Sequence, residues 1–321
     1  MTEKISVNER AFKILTKMLD DPDYYKVHVT KTESGTTLID AGVSSEGGFE
    51  AGRLITEVCM GGCASVHITT SDYGCIEMPA AFVYSDHPVV ATLGSQYAGW
   101  QIKEDGYFAI GSGPARALAQ RPRKIFDSII YMDDFGKAVM VLEADRLPPD
   151  GLLKRFADDC HVLPADLYVI VAATTSIAGG IQIVGRSIET GIHKLRRLGF
   201  DMNVILHGWG LAPIPPVHPD FAQAMGRTND ALLYGGQAGF VVRSEDESEL
   251  QRILGEAPSS TSRDYGRPFI EVLKRANGDF YGVDPNLFAP AIVVISNVKT
   301  GNTFRKGEIN SKALFESFGL T

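Results

Sequence analysis

No stretch of this chain approaches the roughly 20 consecutive apolar residues that a membrane-spanning helix needs. Its first ten residues, MTEKISVNER, lack the charged-then-apolar pattern of a secretory leader. Cysteine is scarce: Cys59, Cys63, Cys75 and Cys160 are too few and too scattered for a disulfide framework in 321 residues. These absences make a cytoplasmic protein the expectation. Basic charge is short as well, with 31 Lys and Arg against 39 Asp and Glu and a net charge of −8. That balance argues against nucleic acid as a main partner, because phosphate binding wants a basic surface. It leaves room for a local basic pocket that takes an anionic ligand. The motifs of zinc proteases, serine hydrolases, zinc deaminases, kinases and Walker-type nucleotidases are all missing, so those activities lose their sharpest support.

What is present is enough apolar sequence, 44%, to bury a large core that divides into two lobes. Strand and helix patterns alternate irregularly, with antiparallel pairs. The expected class is therefore mixed α/β (α+β) rather than one parallel sheet. Ser6 and Glu9 form a capping-box pattern before an amphipathic helix. The connection Asp145–Asp150 suggests an N-terminal α/β lobe over 1–146 and a C-terminal α/β lobe over 147–321, with interleaving left open.

The stretch from Leu167 to Phe200 is the expected centre. A strand rich in Val and Ile runs through Gly179-Gly180 into a helical pattern carrying Ile181, Val184, Ile188, Ile192 and Leu195. In α/β proteins that strand edge is where sites form. Arg186 and Glu189 stand three apart on one side of the pattern, and Thr190 and His193 continue it. Spacing alone leaves two readings open: a surface ion pair worth roughly 0.2–0.5 kcal/mol, or a carboxylate whose basicity an adjacent guanidinium sets.

Other candidates are weaker. Gly111, Ser112 and Gly113 precede Pro114 and a short helix, so their N–H groups could meet an anion, with Arg116 in the first turn. A packing turn explains the glycines equally well. The loop Gly94–Gly99 brings Gln96 and Tyr97, and Trp100 follows. Val204–Leu206 reads as a short strand ending in His207-Gly-Trp-Gly210, and Ala212–Pro219 as a rigid loop. Arg227, Asn229 and Asp230 crowd an otherwise apolar helix, for which capping or exposure is the bland explanation. Cys59, Cys63, His67 and Cys75 could supply four zinc ligands, though their spacing is not a standard one.

Three segments taken together are more specific than any of these. SIAGGIQIVGRSIETGIHKL, GSGPARAL and PIPPVHPDFAQAMGRTNDALLYGG resemble the methenyltetrahydromethanopterin cyclohydrolases, and the resemblance covers essentially the whole chain. It implies two α/β lobes with mixed sheets enclosing a cleft. It implies a cofactor-free cytoplasmic homotrimer that hydrolyses a cyclic methenyl pterin reversibly in one-carbon metabolism, and the absence of any well-spaced ligand set makes a metal-free enzyme the expectation. The family's catalytic Arg and Glu fall on Arg186 and Glu189 here. Flat walls for the pterin are expected from Tyr97, Trp100 and Trp209. Gln96, Gly111, Ser112, Gly113, Arg116, Arg227, Asn229 and Asp230 are expected around the ring or the carrier's anionic tail. The rivals are a non-catalytic pterin-binding protein and a zinc amidohydrolase built on the Cys59, Cys63, His67 and Cys75 set.

Overall fold

A computed structural model describes residues 5–74, 76–104, 106–278 and 282–320. The chain forms two compact units. The first takes it up to Ser65 and again from Val89 to Gln182, and the second holds Val66–Pro88 and everything from Ile183 onward. A boundary at 146/147 would separate two strands that the first unit pairs side by side. The two lobes are interleaved in sequence.

In chain order the strands are β1 (His28–Lys31), β2 (Thr37–Asp40), β3 (Ser65–Asp72), β4 (Glu77–Ser85), β5 (Trp100–Glu104) and β6 (Tyr107–Ser112). They continue with β7 (Ala138–Glu143), β8 (Leu167–Val171), β9 (Ile205–Pro213), β10 (Gln237–Val242), β11 (Ile292–Asn297) and β12 (Thr303–Gly307). Each unit is built on one mixed, open sheet of six strands, so the expected class holds.

In the first unit the order is β1-β2-β8-β7-β6-β5, with β2, β8 and β7 parallel and the edges antiparallel. Both faces of the parallel centre are covered. Ile39, Val139, Val141 and Ile170 pack under the helices Val7–Asp20 and Phe49–Cys59. The alternate residues Leu38, Met140, Leu142, Val169 and Val171 pack under the helix Asp150–Asp159. Two-sided burial is why β7 and β8 read as continuous apolar runs. The Ser6 cap forms as expected, its Oγ accepting from the Glu9 N–H at 3.1 Å.

The second sheet runs β12-β11-β10-β9-β4-β3. Only β10 and β11 are shown parallel; β9 is antiparallel to both β10 and β4. The sequence reading ended β9 at Leu206, yet it continues through His207-Gly-Trp-Gly210 to Pro213, which pairs with Ala80. Glycine there is not turn chemistry. A Cβ on Gly208 would stand 3.0 Å from Pro88 Cβ, and one on Gly210 only 2.1 Å from Ser187 Oγ. Close packing of Pro88 and of the helix Ser187–Arg197 on this strand demands both. Among the described residues, no helix is long and apolar enough to cross a membrane.

Candidate active site

β8 leads through Ala172–Thr175 to Ser176, whose Oγ accepts from the Gly179 N–H at 3.0 Å and caps the helix Ile177–Val184. The sequence pattern suggested one helix onward to Leu195. The structure breaks it at Gly185-Arg186. The Arg186 N–H bonds the Ile183 carbonyl at 3.0 Å in a turn, and the Arg186 carbonyl starts the next helix by accepting from Thr190 N at 2.8 Å. Arg186 is therefore the first, half-helical residue of Ser187–Arg197, and Glu189 lies in that helix's first turn. Both are 6% exposed, so the surface-pair reading fails for want of surface. The break also adds something the sequence did not suggest. The positive end of the helix dipole lies beneath Glu189, an effect worth roughly 0.3–1 kcal/mol to a carboxylate and up to about 2 in partly buried settings.

Ile188, Gly191, Ile192 and Leu195 form the stripe that meets the sheet; a Cβ on Gly191 would stand 2.8 Å from Phe240 Cζ. Helical periodicity puts Glu189 and His193 together on one flank. Burial pushes the His193 imidazole down to about 4, helped by Arg197, Arg196 and Lys194, so it is neutral near pH 7. Lys194 occupies the opposite flank, its Nζ donating to Asn286 Oδ1 at 2.8 Å and Thr261 Oγ1 at 3.3 Å. Burial and Arg197 lower it to about 8, with Asp284 and Glu256 opposing. It ties a loop to the helix.

The other candidates of the second unit take up positions in its fold. Trp209 is on the face of β9 opposite Gly208 and Gly210, hence opposite the helix that carries Glu189. Its ring lies over Gly239, where a Cβ would come within 2.1 Å of Cε2. Asp230, fully buried, accepts from the Phe269 N–H at 2.8 Å and the Ser317 hydroxyl at 2.6 Å. Burial pushes it up to about 7 against those two bonds. Arg227 donates to the carbonyls of Ser317 (3.2 Å) and Pro216 (3.1 Å). Asn229 Nδ2 bonds back to the Met225 carbonyl at 2.9 Å. Arg227 and Asp230 join the helix Phe221–Gly235 to its neighbours.

In the first unit the expected anion loop is the end of β6. Gly111 and Ser112 sit in ladder register with Leu142 and Val141, and the Gly113 N–H bonds the Ser95 carbonyl at 3.0 Å. The Gly113 amide is thereby committed to the fold. Ser112 Oγ also contacts Val141 O and Cys59 Sγ, each at 3.3 Å. Arg116 is fully buried and donates to the carbonyls of Arg121 (2.9 Å), Leu93 (3.2 Å) and Ser95 (2.9 Å). Its guanidinium also lies 5.2 Å from the ring centres of Tyr97 and Phe126. Leu93 and Ser95 belong to a π turn, Thr92–Gln96, closed by the Tyr97 N–H on Thr92 O at 2.8 Å. Gln96 is buried within it. Trp100 is a core residue, edge-on to Phe156 at 5.6 Å, with Arg121 over its ring.

The comparisons with known proteins bear on what this arrangement is for. The family model described as Cyclohydrolase (MCH) matches residues 6–318. A methenyltetrahydromethanopterin cyclohydrolase of Methanothermobacter marburgensis is 44% identical over 319 residues, spanning 98% of this chain and all of the relative. Its counterpart in Methanocaldococcus jannaschii is 43% identical over 320 residues, with 99% of each chain covered. A bacterial one, of Methylobacillus flagellatus, is 43% identical over 316 residues, covering 98% of this chain and 96% of its own. The chain belongs to the cyclohydrolase (MCH) family.

Within this family member the rival zinc set dissolves into separate local partnerships. Cys75 lies outside the described residues. Cys59 Sγ meets Ser112, while Cys63 Sγ bonds the Gly61 carbonyl at 3.4 Å, its thiol pushed up to about 11 by burial. The His67 ring stacks on Tyr84 at 5.9 Å. The CMGGC segment is a packing turn: a Cβ on Gly61 would stand 2.5 Å from Val7 Cβ. Among the described residues, no three His, Cys, Asp or Glu side chains are grouped to hold a metal ion. One buried polar group went unnoticed in the sequence. Asp40, at the end of β2, accepts from the N–H groups of Gly42, Val43, Ser44 and Ser45 at 2.7–3.2 Å. Burial pushes its carboxyl up, but these four bonds outweigh it and hold it below the usual range. An Asp two residues before a glycine loop was the available signal.

Proposed function

We propose that this chain reversibly hydrolyses the N5,N10-methenyl cation of tetrahydromethanopterin to the N5-formyl compound. The observation that carries the reading is end-to-end similarity, 44% identity over 98% of the chain, to a protein of that named activity. The buried Arg186 and Glu189 support a mechanism. The substrate carbon, an amidinium between two nitrogens, is already electrophilic. A water held against it needs a base as the C–O bond forms, and Glu189 is that base. Breaking the C–N10 bond of the adduct then leaves the formyl group on N5. Glu189, protonated in the first step, returns a proton to N10. Of the water's two protons one ends on N10 and one is released. The carboxylate also attracts the cationic reactant, which limits its net benefit, since only tighter binding of the transition state accelerates reaction.

As written, the chemistry uses no metal and no cofactor, and we propose that none takes part. Cytoplasmic location and a homotrimer complete the proposal. Metal-stripped protein should consume the methenyl chromophore in a spectrophotometric assay, and light scattering should give three chain masses. An unchanged chromophore would reject the activity, and an active monomer would reject the trimer.

A further inference from the structure

The two sheets are covered differently. Helices close both faces of the first sheet's parallel centre. In the second sheet, Val83, Ala212, Ala238, Phe240, Val293 and Ile295 point to the side that meets the helix Ser187–Arg197, and each is at most 1% exposed. The alternate residues point the other way, where the cover is missing. Phe82, Trp209, Leu211, Val241 and Val294 are only half-buried, and Tyr84 is 42% exposed. Register sets them side by side. Tyr84 is opposite Trp209, Phe82 is opposite Leu211, and Gly239, under the Trp209 ring, is opposite Val294.

A sheet face left to water normally carries polar residues at the outward positions. Here no outward position on β4, β9, β10 or β11 is Lys, Arg, Asp or Glu. Polar groups return at the edges. His67 of β3 stacks on Tyr84 at 5.9 Å, and Arg305 of β12 is opposite Val294. An apolar, aromatic centre within a polar rim is the anatomy of a protein–protein interface.

We infer that this face is where copies of the chain meet, each copy turning it toward the axis of the trimer. The inference rests on the homotrimer proposed above and names the surface that forms it. Nucleic acid is a poor occupant for a face without Lys or Arg at its centre, on a chain of net charge −8. A charged peptide would find no counter-charge at that centre. Permanent contacts between like chains are the more apolar class. A face set around a threefold axis meets a neighbour on each side, so the assembly closes.

The test puts a charge on the face at two separate strands, with Tyr84→Lys and Val241→Lys. Ile130→Lys, at a residue 93% exposed in the other unit, is the control. Light scattering at micromolar concentration should give three chain masses for native protein and control, and one for each face variant. Thermal unfolding should stay a single cooperative transition in all of them. Trp209 and the core residue Trp100 are the chain's two tryptophans, so acrylamide should quench the face variants more strongly than native protein. Three chain masses for both face variants, or dissociation of the control as well, would overturn the interface. Intact trimers with a raised KM for the methenyl substrate would give the face to the pterin instead. A native monomer would reject the trimer itself.

Discussion

Arg116 and Arg186 are both buried arginines in glycine-rich sequence, one in each unit, and they are placed differently. The Arg116 guanidinium is spent on three backbone carbonyls and two aromatic rings around a π turn. Arg186 opens a helix, three residues before a buried carboxylate in that helix's first turn. Burial of a charged residue is thus a poor guide to function by itself; what the charge faces decides it. Asp230 and Glu189 repeat the lesson with carboxylates. Asp230 bonds one helix start and one distant hydroxyl, whereas Glu189 lies in a helix's first turn, three residues after Arg186.

The largest expected effect is on turnover. Glu189→Gln keeps size and shape but removes proton affinity, so kcat should fall by roughly 10²–10⁴-fold, the usual worth of a positioned base. The melting temperature should stay near native. A pterin-binding protein without chemistry would instead bind its ligand equally well before and after this change.

Arg116→Ala should show the reverse pattern. Two buried carbonyls and one partly buried one each lose a charged donor, and stability should drop by about 3 kcal/mol or more, read from denaturant unfolding. Lysine should not restore it, because a single ammonium cannot replace the fork. Full stability with lost turnover would erase the contrast between the two arginines.

A smaller effect should appear at Asp230. Its folded value of about 7 lies above the 3.8 of the free side chain, so the folded state holds a proton that the unfolded state releases between those limits. Stability should therefore fall as pH rises from about 4 through 7 and level off above. Asp230→Asn can keep the Phe269 bond and donate to Ser317, removing that slope. Relative to native, the variant should gain roughly 2–4 kcal/mol between pH 4 and pH 8. Melting curves at the two pH values measure it, and parallel curves would mean that Asp230 is ionised throughout.

Much of the scaffold was legible because its causes are local. Ser6 caps a helix where its side chain predicts it, and β8 reads as a strand because both its faces are apolar. Three features were hidden by non-local packing. The break at Gly185-Arg186 escaped notice because the apolar stripe continues across it from Ile181 to Ile188. The strand reading stopped at Leu206, although Gly208 and Gly210 belong inside β9, where Pro88 and a distant helix crowd them. Arg227 and Asp230 suggested a binding face because their partner, Ser317, lies almost ninety residues on. In the candidate site, the Arg186 and Glu189 spacing was visible, while its burial and its place at a helix start were not.

Whether Arg186 and Glu189 act as one unit is best measured by a double-mutant cycle on turnover. Arg186→Ala alone should lower kcat, and Glu189→Gln alone should lower it further. If the arginine works through the carboxylate, the double variant should be little slower than Glu189→Gln, because residues acting together are not additive. A double variant slowed by the product of the two single effects would contradict this, and would make Arg186 and Glu189 independent residues.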